Sequence, residues 1–318
     1  RRGAGRTDGE LIGGVWASRV EDTDAPTRAQ KEYLIHPGIE RLRDKVRDLD
    51  VQSEGLIALG RLSMFEELSV ETMRDYLRAP SQDLAHSAVL GLGLLGDELA
   101  WSSLRSLMVD DANGRWLVAN QAGVPTTTRA WAALATGIGV SQWGERAQEE
   151  AVAVLLQAAQ AADSLPELQA SALIALGMVP AREESTQFES LLGMLHDSGL
   201  NQSVRAMVPA ALARSAQGVK DRMEVAREEL LGQLTGSQAA TVRQAAIRAL
   251  ALVPNQNMEA DHLAVEALRK LSLQARTPEE RHFAALALAE IAAQIQDVKE
   301  IEEIAAALVA QLGDGSPE

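Results

Sequence analysis

A chain of 318 residues with 45 Asp and Glu against 30 Lys and Arg, net charge −15, does not suit a duplex phosphate backbone, which needs clustered basic side chains. It has no cysteine, which excludes disulfides, thiolate metal sites and a cysteine nucleophile. Aromatics make up 3% and strand formers never alternate over a useful length, so the composition points to an all-α protein.

Residues 1–36 hold no sustained periodicity. Glycines, a proline and charges of both signs are scattered through them, and only Leu11–Trp16 is apolar enough to dock on a surface. The segment reads as an irregular arm, mobile or laid along the rest of the chain through Leu11, Ile12, Val15 and Trp16. Residues 1–50 carry ten basic and ten acidic side chains, so the negative balance belongs to residues 51–318. The first residues are Arg-Arg-Gly rather than Met, as in a processed or partial form, and any signal peptide would lie upstream. Absence of cysteine fits an exported protein and also many cytosolic ones; a soluble protein is expected, with an exported or periplasmic place slightly favoured over the cytoplasm. No transmembrane segment is expected, since the apolar run Ala88–Leu95 is too short for one.

From Pro37 the pattern becomes helical and repeats. At Val51, Leu84, Thr128, Leu168, Val204, Val242 and Glu280 the same string opens, with a small or apolar residue at +4 and a small one at +9. Successive starts are 33, 44, 40, 36, 38 and 38 residues apart. First helices are expected near 38–48, 69–79, 98–109, 145–162, 186–197, 220–234 and 258–275. Second helices are expected near 51–63, 82–96, 127–139, 166–179, 202–216, 239–253 and 278–294. Pro166 and Pro278 mark helix starts, and Pro180 and Pro254 follow helix ends. Pro209 falls inside a second helix and should bend it. Val298, Ile301, Ile304, Ala305 and Leu308 form one stripe of a last helix, suited to capping the array. A period in this range with two helices per unit is the signature of an α-solenoid. The domain reading is an arm over 1–36, a repeat array over 37–313 with an insertion at 110–126, and a tail over 314–318.

The strings VRQAAIRALALVP at Val242–Pro254 and LQASALIALGMVP at Leu168–Pro180 resemble HEAT repeats. The resemblance implies a right-handed α-solenoid of about seven HEAT-like helix pairs with a C-terminal capping helix. It covers roughly residues 38–313. An Arg follows the opening position at Arg129, Arg205, Arg243 and Arg281. In the family that Arg bonds an Asp in the inter-helix turn and builds a ladder; here the matching turns mostly lack the Asp. The family serves many unrelated partners, so the likeness speaks to fold and hardly to function.

Chemistry-bearing motifs are few. None of the five histidines sits in an H-E-x-x-H helix. His262 and Glu266 share a helix face with Glu259 and Asp261 nearby, an arrangement more common in solvated pairs than in metal sites. The HEAT-like deoxyhypusine hydroxylases carry His-Glu dipeptides that bind iron, and this chain has none. The glycine-rich run Gly91–Gly96 lies at the end of a second helix, where small residues serve close packing. No cofactor, metal or catalytic residue is expected.

Four of the five tryptophans, Trp101, Trp116, Trp131 and Trp143, fall between 101 and 143, in and just after the widest repeat spacing, where the insertion lies. Either these rings fill the space that the insertion creates, with Trp131 the core candidate, or the insertion projects as a binding loop. In the second case Asp110, Asp111, Asn113, Arg115 and Trp116 are the contact residues, with Trp116 facing the partner. The expected function is a non-enzymatic protein-binding scaffold presenting an extended acidic surface, for which a basic protein surface is the complement. The alternatives are a structural subunit of a larger assembly, such as a bacterial envelope complex or coat, and an enzyme accessory such as a HEAT-like bilin lyase.

Overall fold

The computed structural model describes residues 39–40, 42, 48–62, 66–161, 165–235, 239–253, 259–295 and 298–313. The proposed arm over 1–36 and the tail over 314–318 lie outside these. All regular structure among the described residues is helical, and no helix among them is long and apolar enough to cross a membrane. The chain divides into two compact units, Arg1–Gly144 and Glu145–Glu318.

In the N-terminal unit the helices are α1 (Leu49–Leu62), α2 (Glu66–Tyr76), α3 (Gln82–Leu95), α4 (Glu98–Val109), α5 (Ala112–Leu117) and α6 (Thr126–Gly139), followed by a 3-10 turn over Val140–Gln142. Second helices α1, α3 and α6 stack side by side in one row, and first helices α2 and α4 form the row beside them. Leu56, Leu92, Met73, Leu104 and Ala133 fill the layer between the rows and are fully buried. The small residues at +9 are what let the second helices touch. A Cβ on Gly60 would lie 2.5 Å from Gly91 O, and one on Gly93 would collide with Ala135 O. The Gly91–Gly96 run is therefore a helix crossing. It ends where Gly96 turns left-handed (φ 66°) and stops α3.

The C-terminal unit repeats the plan with α7 (Glu145–Gln160), α8 (Pro166–Leu176), α9 (Gln187–His196), α10 (Gln202–Arg205), α11 (Val208–Ser215), α12 (Lys220–Thr235), α13 (Ala240–Leu250), α14 (Glu259–Gln274), α15 (Pro278–Ala292) and α16 (Val298–Gly313). Helices α8, α11, α13 and α15 form the second-helix row; α7 packs on α9, and α12 on α14. Each unit is thus an all-α solenoid segment of stacked helix pairs. Pro209 does more than bend its helix. Having no N–H to return to Arg205 O, it sits in the first turn of α11, and the expected single helix is cut into α10 and α11. The last helix docks on α14 and α15 through buried Ile304, while Ala305, expected on the same stripe, is exposed.

The repeat arginines are used differently from one repeat to the next. Arg129 Nε donates to Met108 O at 2.9 Å and Arg281 Nη1 to Ala275 O at 2.9 Å, each closing the end of its own repeat's first helix. Arg243 reaches the next repeat instead, with Nη2 2.8 Å from the buried Glu280 carboxylate. Glutamines supply the other ties. Gln169 donates to Ala159 O and Ala161 O, Gln187 to Leu176 O, Gln217 to Leu252 O and Gln294 to Ala251 O. Each satisfies C-terminal helix carbonyls that have no partner within the helix.

Candidate protein-interaction site

The insertion between α4 and α6, expected as an open loop, contains the short helix α5 and is tied down along its length. Helix α4 stops because Asp110 adopts left-handed backbone angles (φ 57°), which Asp tolerates better than most residues. The Asp110 carboxylate then accepts from Arg115 Nε at 3.0 Å, from Arg115 Nη2 at 3.2 Å and from the Val124 amide at 2.8 Å. The hydrogen bond from Arg115 is the main reason its pKa lies below the ordinary carboxylate value, with Val124 and the charges of Arg115 and Arg129 adding and burial opposing. One carboxylate so fastens the beginning, middle and end of the insertion.

Asp111 starts α5 as its N-cap, accepting from the Gly114 amide at 2.8 Å. Ser106 Oγ donates to Asp111 at 3.2 Å and accepts from Asn113 Nδ2 at 3.1 Å, joining α5 to α4. Arg105 lies 3.7 Å from the same Asp111 carboxylate. A Cβ on Gly114 would overlap Ser106 O, so α5 can lie this close only with glycine there. The helix closes with Ala119 left-handed (φ 52°), its amide on Trp116 O at 3.1 Å and the Asn120 amide on Arg115 O at 2.9 Å. That is the Schellman closure with alanine where glycine is usual. Buried Leu117 and Val124 anchor the segment beneath.

Of the five expected contact residues, Asp110, Asp111, Asn113 and Arg115 are therefore engaged inside the insertion. The Trp116 side chain takes no part in these ties and is 57% exposed. Its partner comes from the turn after α2. The Arg78 guanidinium carbon stands 4.2 Å from the indole centroid, and Arg78 Nη2 donates to Trp116 O at 3.4 Å. Sequence reading missed Arg78, because nothing in the spacing links two residues 38 apart.

The tryptophan cluster divides between the two expected roles. Trp101 and Trp143 are buried against each other, ring centroids 5.1 Å apart. Trp131, expected in the core, is only half-buried: it follows the exposed Thr127 by one turn and leans on His86, 5.6 Å between centroids. Burial lowers the His86 pKa below the ordinary imidazole value against the opposing charge of Asp83. In the other unit Asp261 does not stand with His262 on a solvated face. It is fully buried and 2.5 Å from Arg227 Nε, joining α12 to α14. Among the described residues no group of three His, Asp or Glu side chains could hold a metal ion.

The acidity is not spread evenly. In the C-terminal unit the first helices α7, α9, α12 and α14 carry eleven carboxylates against six Lys and Arg. The second helices α8, α10, α11, α13 and α15 carry four against five. Counted along the sequence, the negative balance of these helices falls on one row, because the second helices devote their positions to Ala, Leu and the repeat arginines.

No protein-family model matches the chain, and no curated protein sequence matches it. Among solved structures it is similar to the complex of CpcE and CpcF of phycocyanin lyase from Nostoc sp. PCC7120, at 17% identity and TM-score 0.45, covering 94% of this chain and 100% of that one. Human deoxyhypusine hydroxylase in complex with glycerol matches at 18% identity and TM-score 0.35, covering 89% and 97%. Computationally designed armadillo repeat proteins for modular peptide recognition match at 16% and 0.34, covering 80% and 98%. These neighbours are helical-repeat proteins, as the stacked helix pairs of each unit would have it. At such identities and scores the likeness carries nothing about function.

Proposed function

We propose that the chain acts by binding rather than catalysis, as a protein-binding scaffold whose recognition element is the insertion with Trp116 at its tip. What supports this reading is a large aromatic ring left in solvent on a segment that Asp110, Asp111, Asn113 and Arg115 tie down. A tryptophan loses little rotamer freedom on binding, and rigid loops on a repeat scaffold are where recognition resides. The stack with Arg78, about 0.5–1 kcal/mol at an exposed site, orders the ring further. The polar residues around it hold the loop's shape, so the partner is expected to meet the indole and the Arg78 guanidinium before any of them. A partner with a basic surface would find its complement on the first-helix row of the C-terminal unit.

Trp116→Ala tests the reading. Loss of a central interface tryptophan costs on the order of 2 kcal/mol in binding, roughly thirtyfold. Partner capture from native lysate should fall sharply while the melting curve moves by a degree or less. A large loss of thermal stability with capture unchanged would return the ring to a packing role and remove the support for the insertion as the recognition element.

A further inference from the structure

The second-helix row of the C-terminal unit exposes apolar side chains in register with unpaired cations. Along α8 and the turn after it the solvent stripe runs Glu167, Ala170, Ile174, Met178, with Ile174 and Met178 each 41% exposed. On the next helices it passes through Met207 (38% exposed) and the exposed Arg214, and on α13 through the exposed Arg248. On α15 it reaches Leu286, 50% exposed.

Two contacts join parts of this stripe. The Arg214 stem lies against α8, its Cδ 3.5 Å from where a Cβ on Gly177 would stand, between Ile174 and Met178 in sequence. The Arg248 guanidinium carbon sits 5.6 Å from the Phe283 ring centroid, one turn from Leu286. Among the described residues neither Arg214 nor Arg248 pairs with a carboxylate, in a protein with fifteen more acidic than basic groups. Of the row's own carboxylates, Glu167 shares the stripe but stands in the first turn of α8, about two turns from Ile174. Glu279 is in the first turn of α15, Glu290 is near its end, and Glu280 is committed to Arg243.

We infer that this face is a docking surface for a segment of another protein that interleaves apolar side chains with carboxylates; the inference rests on the scaffold reading above. Ile174, Met178, Met207 and Leu286 are the apolar contacts, and Arg214 and Arg248 are the carboxylate receptors. An arginine stacked on an aromatic face keeps its in-plane N–H donors free, which suits bidentate capture of a carboxylate. The same face disfavours basic segments, so this half of the chain sorts ligands by charge: acidic segments to the second-helix row, basic surfaces to the first.

A phage-displayed library of random 16-residue peptides, panned on the full chain, tests this directly. Enriched peptides should combine Asp or Glu with Leu, Ile, Phe or Trp. By fluorescence anisotropy their affinity should fall about tenfold in Arg214→Glu and in Arg248→Glu, as for a desolvated charge pair. It should fall similarly in the double variant Ile174→Ser with Met178→Ser, and stay unchanged in Trp116→Ala. These exposed positions are not expected to disturb folding, which circular dichroism checks. Enriched peptides without carboxylates, or indifferent to both Arg variants, would overturn the inference. Peptides sensitive only to Trp116→Ala would also overturn it while leaving the scaffold reading in place. Concentration-dependent self-association abolished by Arg214→Glu would give the face to a second copy of the chain instead.

Discussion

Asp110 offers the sharpest test of how the insertion is held, because three substitutions separate its three tasks. Asp110→Ala removes the carboxylate, strands the Val124 amide in a residue only 6% exposed, and forces alanine to φ 57°. An unpaired buried N–H costs about 1–3 kcal/mol. The left-handed backbone adds about 1 kcal/mol, and the solvent-screened Arg115 pair adds little. The expected loss is about 3 kcal/mol, or roughly 6–12 °C in the melting of a unit this size. Asp110→Gly keeps the turn without strain and should lose about 2 kcal/mol. Asp110→Asn keeps the turn and an acceptor oxygen, and should lose less than about 1 kcal/mol. Thermal melts followed by circular dichroism rank the three, and hydrogen exchange at the Val124 amide reports the local opening. Acid supplies a further check. A carboxyl with a lowered folded pKa contributes stability that is complete above its unfolded value and is lost as pH falls through the folded one. The gap between wild type and Asp110→Asn should therefore be constant near neutrality and close in acid. An alanine variant as stable as wild type, or a gap that widens in acid, would refute this account of the insertion.

Ala119 sits left-handed where the closure wants glycine, so Ala119→Gly should raise stability by up to about 1 kcal/mol in thermal melts. Glu280→Gln breaks the tie to Arg243 in a largely buried place and should cost about 2 kcal/mol; a double change to methionine at both positions should recover part of it in denaturant titrations. Asp261→Asn leaves the buried Arg227 guanidinium without its counter-charge. It should cost about 3–5 kcal/mol, more than Arg227→Met paired with Asp261→Leu, by the same titration.

The fold was legible because a solenoid writes its contacts locally. The second-helix start at Leu84, the small residue at Gly93 and the stop at Gly96 are all within one string, and each meets the neighbour that its size implies. Pro209 was legible as a disturbance but not as a full break, since that depends on whether one lost hydrogen bond is replaced. The candidate site was legible in part. The spacing located the insertion and the Trp116 ring, but not that Asp110 pairs with Arg115 or that Asp111 and Asn113 bond Ser106 of α4. Acidic and amide side chains look alike in sequence whether they cap a helix or await a partner. Trp131 misled for a related reason: a position inside a second helix can belong to its buried or its open face, and its neighbour His86 is 45 residues away.

The glutamine and arginine bonds to helix-end carbonyls set the conditions under which the stack holds together. At the amide seams at Gln169, Gln187, Gln217 and Gln294 no proton titrates near neutrality and no counter-ion competes. Salt should loosen the half-exposed Asp110–Arg115 pair while leaving these four seams closed. A protein so fastened can meet changes in its medium by letting the insertion breathe while the register of its helices stays fixed.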